Sequence, residues 1–169
     1  MSETVYIGLG SNLGDRKKFL DRAIELMDDL EGLEITAQSG VYLTEPQDMA
    51  VGVPSFYNQV VRGEYEFGAN QLLAELEGIE KSLGRTDKGN YEPRSIDLDL
   101  LLFGEQQIES ATLVVPHPHL TQRPFMLVPL LDIEPGLTHP ASNKPFSEFL
   151  SRNQEQTIVL VEDHVAREF

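Results

Sequence analysis

Ser95-Ile96-Asp97-Leu98-Asp99-Leu100-Leu101-Leu102-Phe103 is a dense apolar run interrupted by two acids at positions two apart. Its length and composition read as a buried strand, with the two carboxylates on one face because strand side chains alternate. Upstream lies a polar stretch, Arg85 to Pro93, and before it Leu72, Leu76, Ile79 and Leu83 recur at helical spacing, closed by Gly84. Further back, Phe56 to Tyr65 and Leu33 to Thr44 read as strands. Glu45 to Ser55, which joins them, carries two prolines and a glycine and reads as a long loop. Arg16 to Glu31 places Phe19, Leu20, Ala23, Ile24, Met27 and Leu30 at steps of three and four, an amphipathic helix with Gly32 as its C′ residue. Thr4 to Leu9 is a first short strand, ending at glycines and followed by a polar turn from Gly10 to Asp15.

The order is βαββαβ. Two βαβ-like halves in about a hundred residues match the split βαβ arrangement, an α+β, ferredoxin-like antiparallel sheet with both helices on one face. C-terminal additions follow: Met126 to Ile133 reads as a helix bent by Pro129, Phe146 to Arg152 as another, and Thr157 to Glu162 as an added edge strand. Neither a repeat nor a linker breaks the pattern, so a single domain over 1–169 is expected.

Lys+Arg of 13 against Asp+Glu of 28 gives a net charge of −15. Such a surface repels phosphodiester backbones and anionic lipid heads, so neither nucleic acid nor membrane is an expected partner, and small molecules are. The sequence says nothing about protein partners. Without cysteine there is no disulfide framework, thiolate nucleophile or Cys-ligated zinc, and a metal must be held by oxygen or imidazole. No apolar run approaches the roughly 18 residues of a spanning helix, and the start MSETVYIGLGSN lacks a leader pattern. A cytoplasmic chain is the expectation.

Asp97 and Asp99 carry the strongest chemical signal. Adjacent like charges on one strand face, shared with Leu101 and Phe103 by simple alternation, are costly unless a cation sits between them. Mg²⁺ suits them, since it takes one or two carboxylates and completes its octahedron with water and phosphate oxygens. A strand whose acids merely face water is the plain alternative. Arg85, Lys88 and Arg94, then His117, His119 and Arg123, stand out against the acidic background. Guanidinium forks bind phosphate bidentately, although any one arginine can equally serve a surface ion pair. His117, held between two prolines, is rigidly presented. Gly8 to Gly14 invites comparison with phosphate-binding turns, but its glycine spacing fits neither G-x-G-x-x-G nor a Walker A loop, so it reads as a turn that shapes a site. Phe56, Tyr57, Asn58, Tyr91 and Phe125 gather aromatics and an amide near the same loops, a combination that suits a flat heteroaromatic ring; Tyr57 points away from Phe56 and Asn58 and packs in the core.

Four stretches in order are specific enough to carry a resemblance: Tyr6-Ile7-Gly8-Leu9-Gly10-Ser11-Asn12-Leu13-Gly14-Asp15, Glu92-Pro93-Arg94-Ser95-Ile96-Asp97-Leu98-Asp99-Leu100-Leu101, Val115-Pro116-His117-Pro118 and Arg123-Pro124-Phe125-Met126-Leu127. From about residue 4 to 137 the chain resembles the 6-hydroxymethyl-7,8-dihydropterin pyrophosphokinases of folate biosynthesis. The resemblance implies a ferredoxin-like fold and transfer of the β,γ-diphosphate of ATP to the 6-hydroxymethyl group of the dihydropterin, releasing AMP. It implies two Mg²⁺ ions held by Asp97 and Asp99, with Arg85 and Arg94 joining these aspartates as catalytic residues. Phosphate contacts fall on Arg85, Arg94, His117 and Arg123, and Glu80 and Tyr91 match positions beside the nucleotide. The pterin is implied to stack between Phe56 and Phe125, its edge read by Asn58 and by the backbone near Thr44. Tyr91 stands where some members carry tryptophan, and Thr112 where some carry another arginine.

Two other readings stand beside it. A non-catalytic ligand-binding module on the same fold leaves the aspartates as a solvated face, and a dinucleotide-dependent oxidoreductase is built around Gly8 to Gly14.

Overall fold

A computed structural model of the chain describes residues 2–12, 14–44, 55–84, 96–152 and 158–162. Strands β1 (Glu3–Ser11), β2 (Leu33–Gln38), β3 (Val41–Thr44), β4 (Phe56–Tyr65) and β5 (Asp97–Phe103) enclose helices α1 (Arg16–Asp28) and α2 (Ala69–Ser82). The short hairpin β6 (Ile108–Glu109) and β7 (Val114–Val115) follows, then helices α3 (Pro124–Ile133) and α4 (Phe146–Arg152) and strand β8 (Ile158–Glu162). The main sheet runs β5-β1-β4-β3-β8 with β2 also paired to β4, and every pairing in it is antiparallel.

One face of this sheet buries α1 through Leu20, Ala23 and Met27, and α2 through Leu72, Leu76 and Ile79, against Val5, Ile7, Leu9, Val61 and Leu98. These are the positions that the three-and-four spacing puts on one stripe. The expected placement of both helices on one face holds, and the C-terminal additions cover the other. There Met126, Leu127, Leu130 and Ile133 of α3 and Phe146 of α4 pack on Tyr6, Val60, Leu101 and Leu102. The helix α3 continues through Pro129, whose missing N–H leaves the Phe125 carbonyl without its intrahelical donor. The edge strand β8 pairs with β3 as expected.

Four local expectations are corrected. Leu33 to Thr44 is two strands, broken at Ser39-Gly40, where the Ser39 hydroxyl receives the Val60 N–H at 2.9 Å and donates to the Gly40 carbonyl at 2.8 Å. A side chain has replaced a rung of the ladder there. Helix α1 stops at Asp28, and Gly32, at φ +83°, serves the turn into β2 instead of capping the helix. Gly8 and Gly10 lie within β1, which runs on to Ser11 rather than ending at Leu9; among the described residues of this segment only Gly14, at φ +63°, needs the left-handed region. Phe103 does not share the face of the aspartates. A bulge in β5, where Tyr6 pairs with Leu102 and Ile7 with Leu100, puts Leu101 and Leu102 on the α3 side and returns Phe103 to the α1–α2 side.

Candidate functional site

The ends of β1 and β3 and the starts of β4 and β5 meet at one end of the antiparallel sheet, and the candidate residues Thr44, Phe56, Asn58, Asp97 and Asp99 come from these ends. Leu98 and Leu100 belong to the core beneath α1 and α2. Alternation therefore aims Asp97 and Asp99 at the opposite face, where both are half-buried. Gly10 pairs with Asp97 on one side and with Asn58 on the other, and Asn58 pairs in turn with Tyr42. One row across four strands thus reads Asp97, Gly10, Asn58, Tyr42, all directed to the same face. In the next row Asp99 faces Gly8, which faces Val60. With strands about 4.8 Å apart, Asp97 and Asn58 flank a strip roughly 10 Å wide whose floor is bare glycine backbone.

The amide wall of that strip is fixed from behind. Thr44, buried and paired with Phe56, accepts a hydrogen bond on its Oγ1 from Asn58 Nδ2. This turns the Asn58 carbonyl oxygen toward the space over Gly10, where Phe56 also borders it. Arg123 stands at the N-cap of α3 with its guanidinium carbon 5.7 Å from the centre of the Phe125 ring, so a cation and an aromatic face open the helix together.

His117 is tied to the strand of the aspartates through its backbone, its N–H donating to the Leu101 carbonyl at 2.9 Å. Its Nδ1 accepts the His119 N–H at 3.2 Å, which puts the proton of the neutral ring on Nε2. His119 itself is exposed.

Glu80 takes a different position. It is only 3% exposed, on the α2 side of the sheet, and its Oε2 receives the Leu98 N–H at 2.8 Å, between the two aspartates in sequence. Tyr57 packs toward the α1–α2 core as expected, and the Arg16 guanidinium carbon lies 4.1 Å from its ring centre. Arg85, Lys88, Tyr91 and Arg94 lie outside the described residues.

The donor set fits a hard, oxygen-seeking cation that keeps room for substrate. Among the described residues no group of three or more His, Cys, Asp or Glu converges as a protein-only cage. With Glu80 directed to the other face, Asp97 and Asp99 stand on this one as two neighbouring strand carboxylates, which matches the demand of Mg²⁺ for one or two carboxylates plus water and phosphate oxygens.

Three features of the site went unread in the sequence. The in-strand glycines had a signal, Gly8-x-Gly10 at a period of two ahead of a helix. Arg16 and the pair Tyr42 and Asp132 had none, because their partners are remote in sequence.

Comparison with known proteins decides the family. The profile of 7,8-dihydro-6-hydroxymethylpterin-pyrophosphokinase (HPPK) matches residues 6–135. This chain belongs to the HPPK family. It is 39% identical over 150 residues to the 2-amino-4-hydroxy-6-hydroxymethyldihydropteridine pyrophosphokinase of Aquifex aeolicus, covering 89% of this chain and 92% of that protein. To the enzyme of the same name from Bacillus subtilis it is 38% identical over 136 residues, 79% of either chain. The folic acid synthesis protein fol1 of Pneumocystis carinii is 40% identical over 151 residues, and there the match spans 89% of this chain but only 20% of the relative. Among solved structures, a Plasmodium falciparum HPPK-DHPS triple mutant superposes with a TM-score of 0.69 at 16% identity, over 90% of this chain and 44% of that one. At that identity the likeness carries the fold, and the sheet and helices described above are those of HPPK domains. No described helix in this HPPK chain is long and apolar enough to cross a membrane.

Proposed function

We propose that this chain transfers the β,γ-diphosphate of ATP to the 6-hydroxymethyl group of 7,8-dihydropterin, giving the pterin diphosphate and AMP, and that residues 1–169 act as a single domain in the cytoplasm. The row Asp97, Gly10, Asn58 supports this reading, because a carboxylate beside Asp99 and an amide lie on either side of one bare strand, as a metal face next to a flat slot requires. Asp97 and Asp99 would hold two Mg²⁺, which when bound supply charge neutralisation of the triphosphate and a lowered pKa for the attacking hydroxyl.

The chain's own groups do the rest. Phe56 and Phe125 hold the pterin by its faces, and Asn58, locked by Thr44, orients its edge so that the hydroxymethyl group points toward the aspartates. Arg123 and His117 take phosphate oxygens, His117 through Nε2. Arg85 and Arg94 neutralise the negative charge that builds on the transferred group, and Tyr91 binds the nucleotide. Glu80, on the opposite face of the sheet, serves the nucleotide site indirectly, by holding the backbone at Leu98 and so the direction of both aspartates.

Release of AMP from ATP with and without the dihydropterin tests the reading directly. The expected result is pterin-dependent AMP, and a loss on the order of a thousandfold or more in rate for Asp97→Ala and for Asp99→Ala. Turnover near the wild-type rate in either variant sinks the metal assignment. Family membership counts against a non-catalytic binding module, and the glycines' place inside β1 counts against a dinucleotide-binding turn.

A further inference from the structure

We propose that Asp132 and Tyr42 form a clasp that sets the width of the pterin slot, so that both are positioning residues for the transfer. The proposal rests on the pyrophosphokinase reading above and extends it to residues that touch neither substrate.

Helix α3 begins at the Arg123 cap and carries Phe125 in its first turn. Asp132 lies seven residues beyond Phe125, two helical turns on and hence on the same side of the helix. Its Oδ2 accepts the Tyr42 hydroxyl at 2.5 Å and the Gly40 N–H at 3.2 Å. Both donors belong to the short segment between β2 and the end of β3. Tyr42 pairs directly with Asn58, and two residues on, Thr44 receives the Asn58 amide.

The carboxylate therefore joins the element bearing one aromatic wall to the strand pair bearing the amide wall. Packing alone would be met by an apolar residue at 132. A carboxylate with two directed donors instead fixes how far along β3 the helix sits, and with it the separation of Phe125 from Asn58.

Steady-state kinetics of Tyr42→Phe, Asp132→Ala and the double variant, with thermal melts of each, test the clasp. Tyr42→Phe keeps the ring and removes only the O–H. The expected result is a rise of about five- to tenfold in KM for the pterin, with KM for ATP and kcat within about twofold. The double variant should be no worse than the worse single one, since one bond is being removed twice. Asp132→Asn, whose amide oxygen still accepts the tyrosine hydroxyl, should recover most of the affinity.

A lowered melting temperature with an unchanged pterin KM makes the clasp purely structural and overturns the proposal, as do additive effects in the double variant. A wild-type chain that forms no AMP overturns the pyrophosphokinase reading and the clasp with it. Normal wild-type turnover beside an indifferent Tyr42→Phe overturns the clasp alone.

Discussion

The Asn58 amide oxygen stands 3.1 Å from the point that a Cβ on Gly10 would occupy. Asn58 cannot swing away freely, being buried and bonded to Thr44. The Gly10→Ala methyl group must therefore push the amide off its direction over the slot. The backbone at Gly10 is not in the left-handed region, so the fold itself should tolerate alanine. Pterin KM should rise about fivefold or more, the equivalent of about 1 kcal/mol, while ATP KM stays within about twofold. Gly8→Ala is the control. Its Cβ would meet Leu101 at an ordinary 3.5 Å, so kinetics close to wild type are expected. Equal kinetic effects at the two positions would refute the role given to the Asn58 amide.

Glu80 supplies the acceptor for a backbone N–H that faces away from β1, in the strand that bears both aspartates. Glu80→Ala leaves the buried Leu98 N–H without this partner, at about 1–3 kcal/mol, with melting temperature falling by roughly 2–4 °C for each kcal/mol. Glu80→Gln retains an acceptor and should lose less. Calorimetry distinguishes the two, and kcat should fall with Glu80→Ala as the start of β5 loosens. Identical melts for alanine and glutamine would remove the hydrogen bond from the account.

Much of this was legible from periodicity. The three-and-four spacing of α1 and α2, and the period-two logic that sets Asp97 beside Asp99, depend on neighbours within a few residues. Glycine misled: Gly8 and Gly10 read as a turn, and that Gly10 leaves the sheet face bare between two site residues only its cross-strand partners Asp97 and Asn58 reveal. The bulge at Leu101 shifts Phe103 to the other face, and nothing in a run of leucines marks where the extra residue falls. Tyr42 and Asp132 meet across 90 positions, beyond any local pattern.

His139 gives the stability a pH signature. Burial pushes its pKa below the ordinary 6.5, its ring lies 5.5 Å from Phe146 and 6.3 Å from Phe149, and Nδ1 accepts the Ala141 N–H at 3.0 Å. With the folded pKa depressed, the unfolded chain binds the proton first as pH falls through 6.5. Stability is therefore undiminished above that pH, declines below it, and has lost this contribution once pH passes the folded pKa. The melting-temperature advantage of wild type over His139→Asn should narrow between pH 7 and pH 5. A gap constant across that range would mean that the ring titrates alike in both states.

Arg16 occupies the first position of α1, where a cation opposes the helix dipole by about 0.3–1 kcal/mol. What it gains there is contact with the start of β4: its Nη1 donates to the Ser55 carbonyl at 2.8 Å, and its guanidinium carbon lies 4.1 Å from the centre of the Tyr57 ring. The cation–π contact is worth about 0.5–1 kcal/mol and the hydrogen bond about the same. In Arg16→Gln the relief of the dipole offsets much of what is lost, so the melting temperature should shift by only about 2–4 °C. Function should be hit harder, because Ser55 immediately precedes Phe56 and the loss frees the aromatic wall of the slot. Pterin KM should rise about three- to fivefold at unchanged ATP KM. A melt lowered by 10 °C with pterin KM intact would instead make Arg16 a fastener of the fold with no part in the site.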